Sequence, residues 1–387
     1  MGARFLIWFA VFTLLGCAVA AGLNILIDPT SYLTNAHLVS STLCAPGLRT
    51  DERQSKPLAM KAFAPDALLV GTSEVGFGFD ASDPLLRQKL GRTYNFSVAG
   101  LGTAEMDRLL HRNVPALHLR RVIVGTTFGL MIVKDTGPPP GLDENGPAVF
   151  SPLWNLKSTV FSLTALFESA YALLSPRRCA RPNNRPNGTM LYMGADLPAQ
   201  FREQHAETSA LFTQSSEAEF LQNYRQNFSE LGKVARFLCS QSIDVDLVLL
   251  PNHARRMQIW SDMVGDALTD QWKRDVSGLA ARLRSKGCAI TVWDFSYHNA
   301  ITTADLDGPG ADSPSFPYWE DIHFRPVVGH RVLQRILLGS GDDFGVELTP
   351  ETVESHIARA AHAREVWRRS HPAIVASIAA LVRNASR

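Results

Sequence analysis

The feature that most limits the fold is a series of short apolar runs, each ending in a small, polar or chain-breaking residue. Ala67–Val70 ends at Gly71, Thr93–Val98 at Ala99-Gly100, and Arg121–Gly125 at Thr126-Thr127. Val245–Leu250 ends at Pro251 and Ala289–Trp293 at Asp294. Apolar runs this short, bounded by turn residues, read as buried strands. Between them lie segments with helical spacing. These are Asp80–Leu90, whose Leu85, Leu86 and Leu90 share one face, then Thr103–Leu110, Ala218–Ser240, Ala267–Lys286 and, after Pro326, His330–Leu338. Gly287 is placed to cap the fourth of these. The alternation predicts an α/β fold with a mostly parallel sheet covered on both faces. Pro350–Arg387 reads as two amphipathic helices interrupted at Pro372.

The N-terminus sets the compartment. From Phe5 to Ile27 the chain carries no charge, enough apolar length to span a bilayer. Arg4 precedes this run and Asp28-Pro29 follows it, which predicts a cytoplasmic N-terminus and an extracytoplasmic remainder. Two alternatives stand beside a single-pass anchor in the cytoplasmic membrane. Ala18-Val19-Ala20 offers a weak signal-peptidase site, and Leu14-Leu15-Gly16-Cys17 resembles a lipoprotein box. The unbroken apolar run beyond Cys17 favours the anchor, and all three place the main domain outside the cytoplasm, in the periplasm or its equivalent. In such a compartment Cys44, Cys179, Cys239 and Cys288 allow up to two disulfides. Cys239 ends one helical segment and Cys288 precedes a strand after the next, which makes that pair geometrically attractive.

Residues 1–27 are therefore read as the anchor or signal segment, 28–66 as a juxtamembrane connection broken by Pro29, Pro46 and Pro57, and 67–340 as the α/β domain. That domain carries an insertion at about 137–190 that covers or borders the crevice, with Pro138-Pro139-Pro140, an apolar helix around Phe161–Leu174 and a basic loop Pro176–Pro186. Residues 341–387 are read as a helical extension. A net charge of +1, with no basic stripe among the seven Trp, excludes an electrostatic case for nucleic acid. No Cys/His cluster has metal-ligand spacing, and no G-x-G-x-x-G joins the first strand to its helix, so no metal and no cofactor are expected.

Residues at the carboxyl ends of parallel strands face the ligand crevice, and Ser73 stands at the first such end. Ser73 serves there either as a helix cap or as a nucleophile beside backbone N–H groups able to hold an oxyanion. His323, in Pro317–Gly329, has Glu320 three residues and Asp321 two residues before it. A carboxylate bonded to one imidazole nitrogen fixes the tautomer and leaves the other as base. Ser73, His323 and Glu320 or Asp321 supply the parts of a hydrolytic triad in a workable chain order.

With these residues the chain resembles the SGNH (GDSL-like) hydrolase superfamily. That resemblance implies a three-layer, flavodoxin-like sheet and a nucleophile at Gly71-Thr72-Ser73. It further implies an oxyanion-hole N–H at Gly100 after Tyr94-Asn95-Phe96-Ser97-Val98-Ala99, an Asn donor at Asn252 in Pro251-Asn252-His253, and the acidic-x-x-His at Glu320-Asp321-Ile322-His323. The third block departs from the family pattern, so His253 is an alternative site-lining residue, as are Glu74 and Asn95. Gly71-Thr72-Ser73-Glu74 is also similar to the Gly-Ser-Ser-Glu of membrane-anchored teichoic-acid D-alanylation proteins. The resemblance implies a serine esterase or O-acyltransferase whose partner is an acylated envelope glycan, glycolipid or small ester, working with an envelope-biosynthesis membrane partner. The alternative is a degenerate domain that binds glycan or scaffolds such a complex.

Overall fold

The computed structural model describes residues 2–27, 52–135, 160–174, 187–190, 216–308, 313, 315–339 and 344–385. Pro138–Pro140, the loop Pro176–Pro186, Cys44 and Cys179 lie outside the described residues. In chain order the elements are α1 (Gly2–Ile27), α2 (Glu52–Phe63), β1 (Ala67–Gly71), α3 (Ser73–Gly78), α4 (Pro84–Leu90), β2 (Thr93–Ser97), α5 (Thr103–Asn113), β3 (Arg121–Thr126), α6 (Phe128–Ile132) and α7 (Leu163–Leu174). They continue with α8 (Glu217–Ser240), β4 (Asp244–Leu249), α9 (Ala254–Val264), α10 (Asp266–Arg284), β5 (Ile290–Asp294), α11 (Pro326–Leu338), β6 (Val346–Glu347), α12 (Val353–Ser370) and α13 (Pro372–Ala385).

The chain divides into two compact units, Met1–Phe63 with Pro140–Met193, and Ala64–Pro139 with Gly194–Arg387. The insertion therefore groups with the N-terminal segment rather than with the sheet. The reason is visible in two buried polar side chains of that unit. Asn24 of α1 is hydrogen-bonded to Val160, Ser162 and Ser169, and Lys56 of α2 donates to the Gly188 carbonyl at 3.0 Å. Burial lowers the Lys56 pKa to about 8, against the opposing pull of Glu52. α2 runs through Pro57, which the sequence reading treats as a break. Burial of Met60 and the Lys56–Gly188 bond on this helix work against the loss of the one backbone bond that Pro57 removes.

The second unit holds a six-stranded sheet in the order β2-β1-β3-β4-β5-β6. β1 to β5 are parallel, with Leu69 opposite Asn95 and Ile123 opposite Asp246, and β6 is antiparallel to β5. Successive strand side chains point to opposite faces, and both sets are buried in β1 and β2 and, after their first residues, in β3 and β4. Leu69, Ile123 and Val248 share one core with Leu86 of α4 and Val332 of α11. α8 packs against β4 and α10 against β5. From β1 the chain leaves toward β2 on one side and later toward β3 on the other, a switch point where α/β sheets open a crevice.

Three local differences from the expected elements stand out, the first two set by capping and a glycine junction. The helix read as Asp80–Leu90 begins at Pro84, because Asp83 caps it by accepting from the Leu85 N–H at 2.8 Å. The helix read as Ala267–Lys286 is preceded by a separate α9, the two being joined at Gly265, whose φ of +78° favours glycine. The extension from 341 also contributes β6. Its α12 returns to the sheet, where His356 Nε2 and Lys273 Nζ each lie 2.7 Å from Oδ2 of buried Asp294. Burial works against the Asp294 carboxylate, but Lys273 and His356 hold its pKa below the ordinary value. Cys239 and Cys288 are joined as a disulfide.

Two glycine contacts bring the site together. Val75 sits over Gly71 and Gly125, so a Cβ on either would displace the first turn of α3 from the sheet. α11 meets α3 where Gly329 faces the Gly78 carbonyl, and a Cβ at Gly329 would collide with that oxygen. Gly329→Ala is expected to destabilise this unit by about 1–3 kcal/mol through overpacking. The measurement is the urea midpoint, and an unchanged midpoint at unchanged slope would refute the close approach.

Candidate active site

β1 ends at Gly71, and Thr72 is the N-cap of the six-residue α3, with φ −87° and ψ −165°. Ser73 is thus the first helical residue and not the cap. The Thr72 hydroxyl makes no capping bond and donates instead to Glu74 Oε2 at 2.7 Å. This leaves the half-buried Ser73 hydroxyl pointing away from the helix, with Oγ 2.8 Å from His323 Nε2.

His323 is held by the tight loop that precedes α11. Tyr318 and Phe324 form an isolated antiparallel bridge, and the Trp319 N–H donates to the His323 carbonyl at 2.9 Å. The loop folds Glu320 back on itself. Glu320 Oε2 accepts from the Ile322 N–H at 2.7 Å, and Oε1 accepts from the His323 N–H at 2.9 Å. Oε1 also lies in hydrogen-bond contact with His323 Nδ1. An ionised carboxylate only accepts, so the ring proton sits on Nδ1, and Nε2 is left to receive the Ser73 proton. Burial disfavours the imidazolium, yet Glu320, through its charge and its bond, raises the His323 pKa, with Glu74 and Asp321 adding to the rise. The Phe77 ring meets the imidazole edge-on at 5.3 Å and fills its open side.

Asp321 does not join this arrangement. Its Oδ1 accepts from Nη2 of buried Arg256 at 3.1 Å. Of the two carboxylates the sequence offers, Glu320 orients the histidine and Asp321 serves an ion pair.

Around the triad lies a second polar group. Glu74 is buried, with Oε2 bonded to Thr72 and Oε1 accepting from Asn252 Nδ2 at 2.9 Å. Burial raises the Glu74 pKa; the bonds from Thr72 and Asn252 and the charge of His323 work against that rise. Asn252 is fully buried; its Nδ2 donates to Glu74, while its Oδ1 has no hydrogen-bond partner among the described residues. Gly100, at φ +66°, lies in the turn after Val98, whose N–H bonds to the Gly71 carbonyl at 3.0 Å, so this turn shares the sheet end with Ser73.

The remaining site-lining residues have other tasks. Asn95 is fully buried and ties α3 to β2, donating to the carbonyls of Val75 and Phe79 at 3.1 and 3.0 Å. His253 is the N-cap of α9, accepting from the Arg255 N–H through Nδ1 and facing the Ala304 carbonyl through Nε2 at 2.7 Å. Burial lowers its pKa to about 4, so it is neutral near pH 7 and donates from Nε2. Thr72, Phe77 and Arg256 escape the sequence reading. For Thr72 a signal exists, since a Thr two residues before a Glu at a strand end can bond to it. Phe77 and Arg256 carry no such sign. Among the described residues no group of three His, Cys, Asp or Glu side chains is arranged to hold a metal ion.

No protein-family model matches this chain, and no curated protein matches it. The geometry therefore carries the chemistry alone. A hydroxyl, a base bonded to it and a carboxylate fixing the base's tautomer form the constellation of covalent acyl transfer.

Proposed function

We propose that this chain is an SGNH-like serine esterase or O-acyltransferase working outside the cytoplasmic membrane on acyl groups of a cell-envelope glycan or glycolipid. The observation that carries it is the 2.8 Å contact of Ser73 Oγ with His323 Nε2, backed by Glu320 on Nδ1. Ser73 Oγ attacks the acyl carbonyl carbon while His323 Nε2 takes the hydroxyl proton. Collapse expels the leaving alcohol, which receives that proton from His323, and leaves an acyl group on Ser73. Water or a sugar hydroxyl then attacks this ester, gives its proton to His323, and Ser73 Oγ departs and recovers it. The N–H groups of Ser73 and of the Gly100 turn serve the oxyanion, each donor worth about 2.7–4 kcal/mol of barrier.

The strand order 2-1-3-4-5 supports a three-layer flavodoxin-like arrangement, since that order belongs to this doubly wound class and puts its ligand beside β1. The apolar α1 and the Cys239–Cys288 disulfide support an anchored protein with its sheet domain in an oxidising compartment.

One observation favours the scaffold reading, namely that one of the two Nδ2 hydrogens of Asn252 is taken up by Glu74. A panel of short acyl p-nitrophenyl esters, run with and without a polysaccharide acceptor, separates the two. Turnover, with acyl groups appearing on the glycan, is the expected result. No turnover, together with glycan binding unaffected by Ser73→Ala, would establish the scaffold.

A further inference from the structure

The N-terminal unit contains two apolar helices, and they pack on each other. Their contact is built from small and polar residues. Ala21 and Asn24 of α1 are buried, as are Ala165 and Ser169 of α7. Asn24 Nδ2 donates to the carbonyls of Val160 and Ser162 at 3.1 and 3.2 Å, and Ser169 Oγ donates to Asn24 Oδ1 at 3.1 Å. Helices surrounded by lipid associate in this manner, through small residues and interhelical side-chain bonds, because burying apolar surface offers no gain there.

Two described apolar side chains on the other side of α7 are bare. Leu163 and Phe167 are 72% and 74% exposed, and Phe161 just before the helix is 59% exposed. Leu163 and Phe167 lie one turn apart, each two residues before Ala165 and Ser169, so they occupy the face opposite the α1 contact. The apolar surface of α1 is exposed in the same way, with Phe5, Leu14 and Val19 all above 60%.

We propose that α7 is a second membrane element, lying in the bilayer interface beside the outer end of α1, with phospholipid acyl chains covering Phe161, Leu163 and Phe167. Its 12 residues extend about 18 Å, too little to cross a hydrocarbon core of about 30 Å, so it enters one leaflet only. Bonding of Asn24 to α7 satisfies the one strongly polar side chain in the last turns of α1, as the edge of the hydrocarbon demands. The inference rests on α1 being a retained anchor, and the pairing supports retention. Cleavage of α1 would strip the partners from Ser169 and from the Val160 and Ser162 carbonyls.

The test uses the full-length protein in phosphatidylcholine vesicles containing a phosphatidylcholine with a diazirine on its acyl chain, either near the ester or near the methyl end. After illumination, lipid adducts are mapped by mass spectrometry of peptides. Adducts on α1 with both probes, and on α7 chiefly with the shallow probe, are expected, with α8 at background. Adducts on α1 with α7 at background would overturn the proposal and leave the anchor standing. Background labelling of both helices would overturn the anchor reading as well.

Discussion

Ser73→Ala is expected to abolish labelling by a fluorophosphonate probe and to lower ester turnover by about 10⁴-fold or more, as loss of a serine nucleophile does where a triad operates as a unit. Ser73 Oγ lies 2.8 Å from His323 Nε2, within reach of the base that would take its proton. In the proposed mechanism alanine removes the atom that would form the acyl bond, while the backbone N–H groups of residue 73 and the Gly100 turn remain. The fold should survive. Ser73 is half-buried, the cap of α3 is Thr72 rather than Ser73, and deleting the one Ser73–His323 hydrogen bond costs on the order of 1 kcal/mol. Circular dichroism and the urea midpoint report on folding in the same preparation. Undiminished labelling of a folded Ser73→Ala protein would remove Ser73 from the mechanism.

Glu320→Gln is expected to cost about 10⁴-fold in kcat/KM, because an amide facing Nδ1 favours the wrong imidazole tautomer. The pH dependence discriminates further. In the proposed mechanism His323 works only as the neutral base, and its pKa is raised, so kcat/KM of the native protein is expected to fall as pH drops through a value above the usual 6.5 or so. Removing Glu320 takes away the main influence raising that pKa, so the residual activity of the variant should have its acid limb at lower pH. Stability runs the other way. A histidine whose folded pKa lies above its unfolded one stabilises fully below the unfolded pKa, and this contribution is lost as pH rises through the folded pKa. The destabilisation caused by Glu320→Gln should therefore be larger near pH 6 than near pH 9 on the scale of ordinary histidine titration. Part of it should persist at both, because Glu320 also accepts from two backbone N–H groups. A variant whose acid limb stays where the native one lies would show that Glu320 does not set the charge state of His323.

Much of the scaffold was legible before any tertiary information. Gly71, Gly100 and Pro251 end apolar runs, and local breakers act through φ restrictions and lost donors that need no distant partner. The five parallel strands follow from those runs, and so does the position of Ser73 at the end of the first. Elements were lost where the signal was weak or divided. α9 was missed because Pro251-Asn252-His253 reads as a turn, although His253 is itself the cap that starts a helix. β6 is two residues long, and its pairing with β5 has no period to detect.

The local sequence determined the residue types of the site and the sheet end on which they gather, because strand ends and loop positions follow from spacing along the chain. It could not choose between neighbours. Glu320 and Asp321 are adjacent, and which one faces His323 depends on the Tyr318–Phe324 bridge and on Arg256, an ion-pair partner 65 residues away that takes Asp321. Thr72 and Ser73 are adjacent too, and their roles separate only because His323 arrives from 250 residues downstream to engage one, while Glu74 engages the other. Hydrogen bonds of this kind are won by whichever side chain is brought within about 3 Å in the right direction. That is a property of the packed α3–α11 contact at Gly78 and Gly329, and it exists only once the chain has folded.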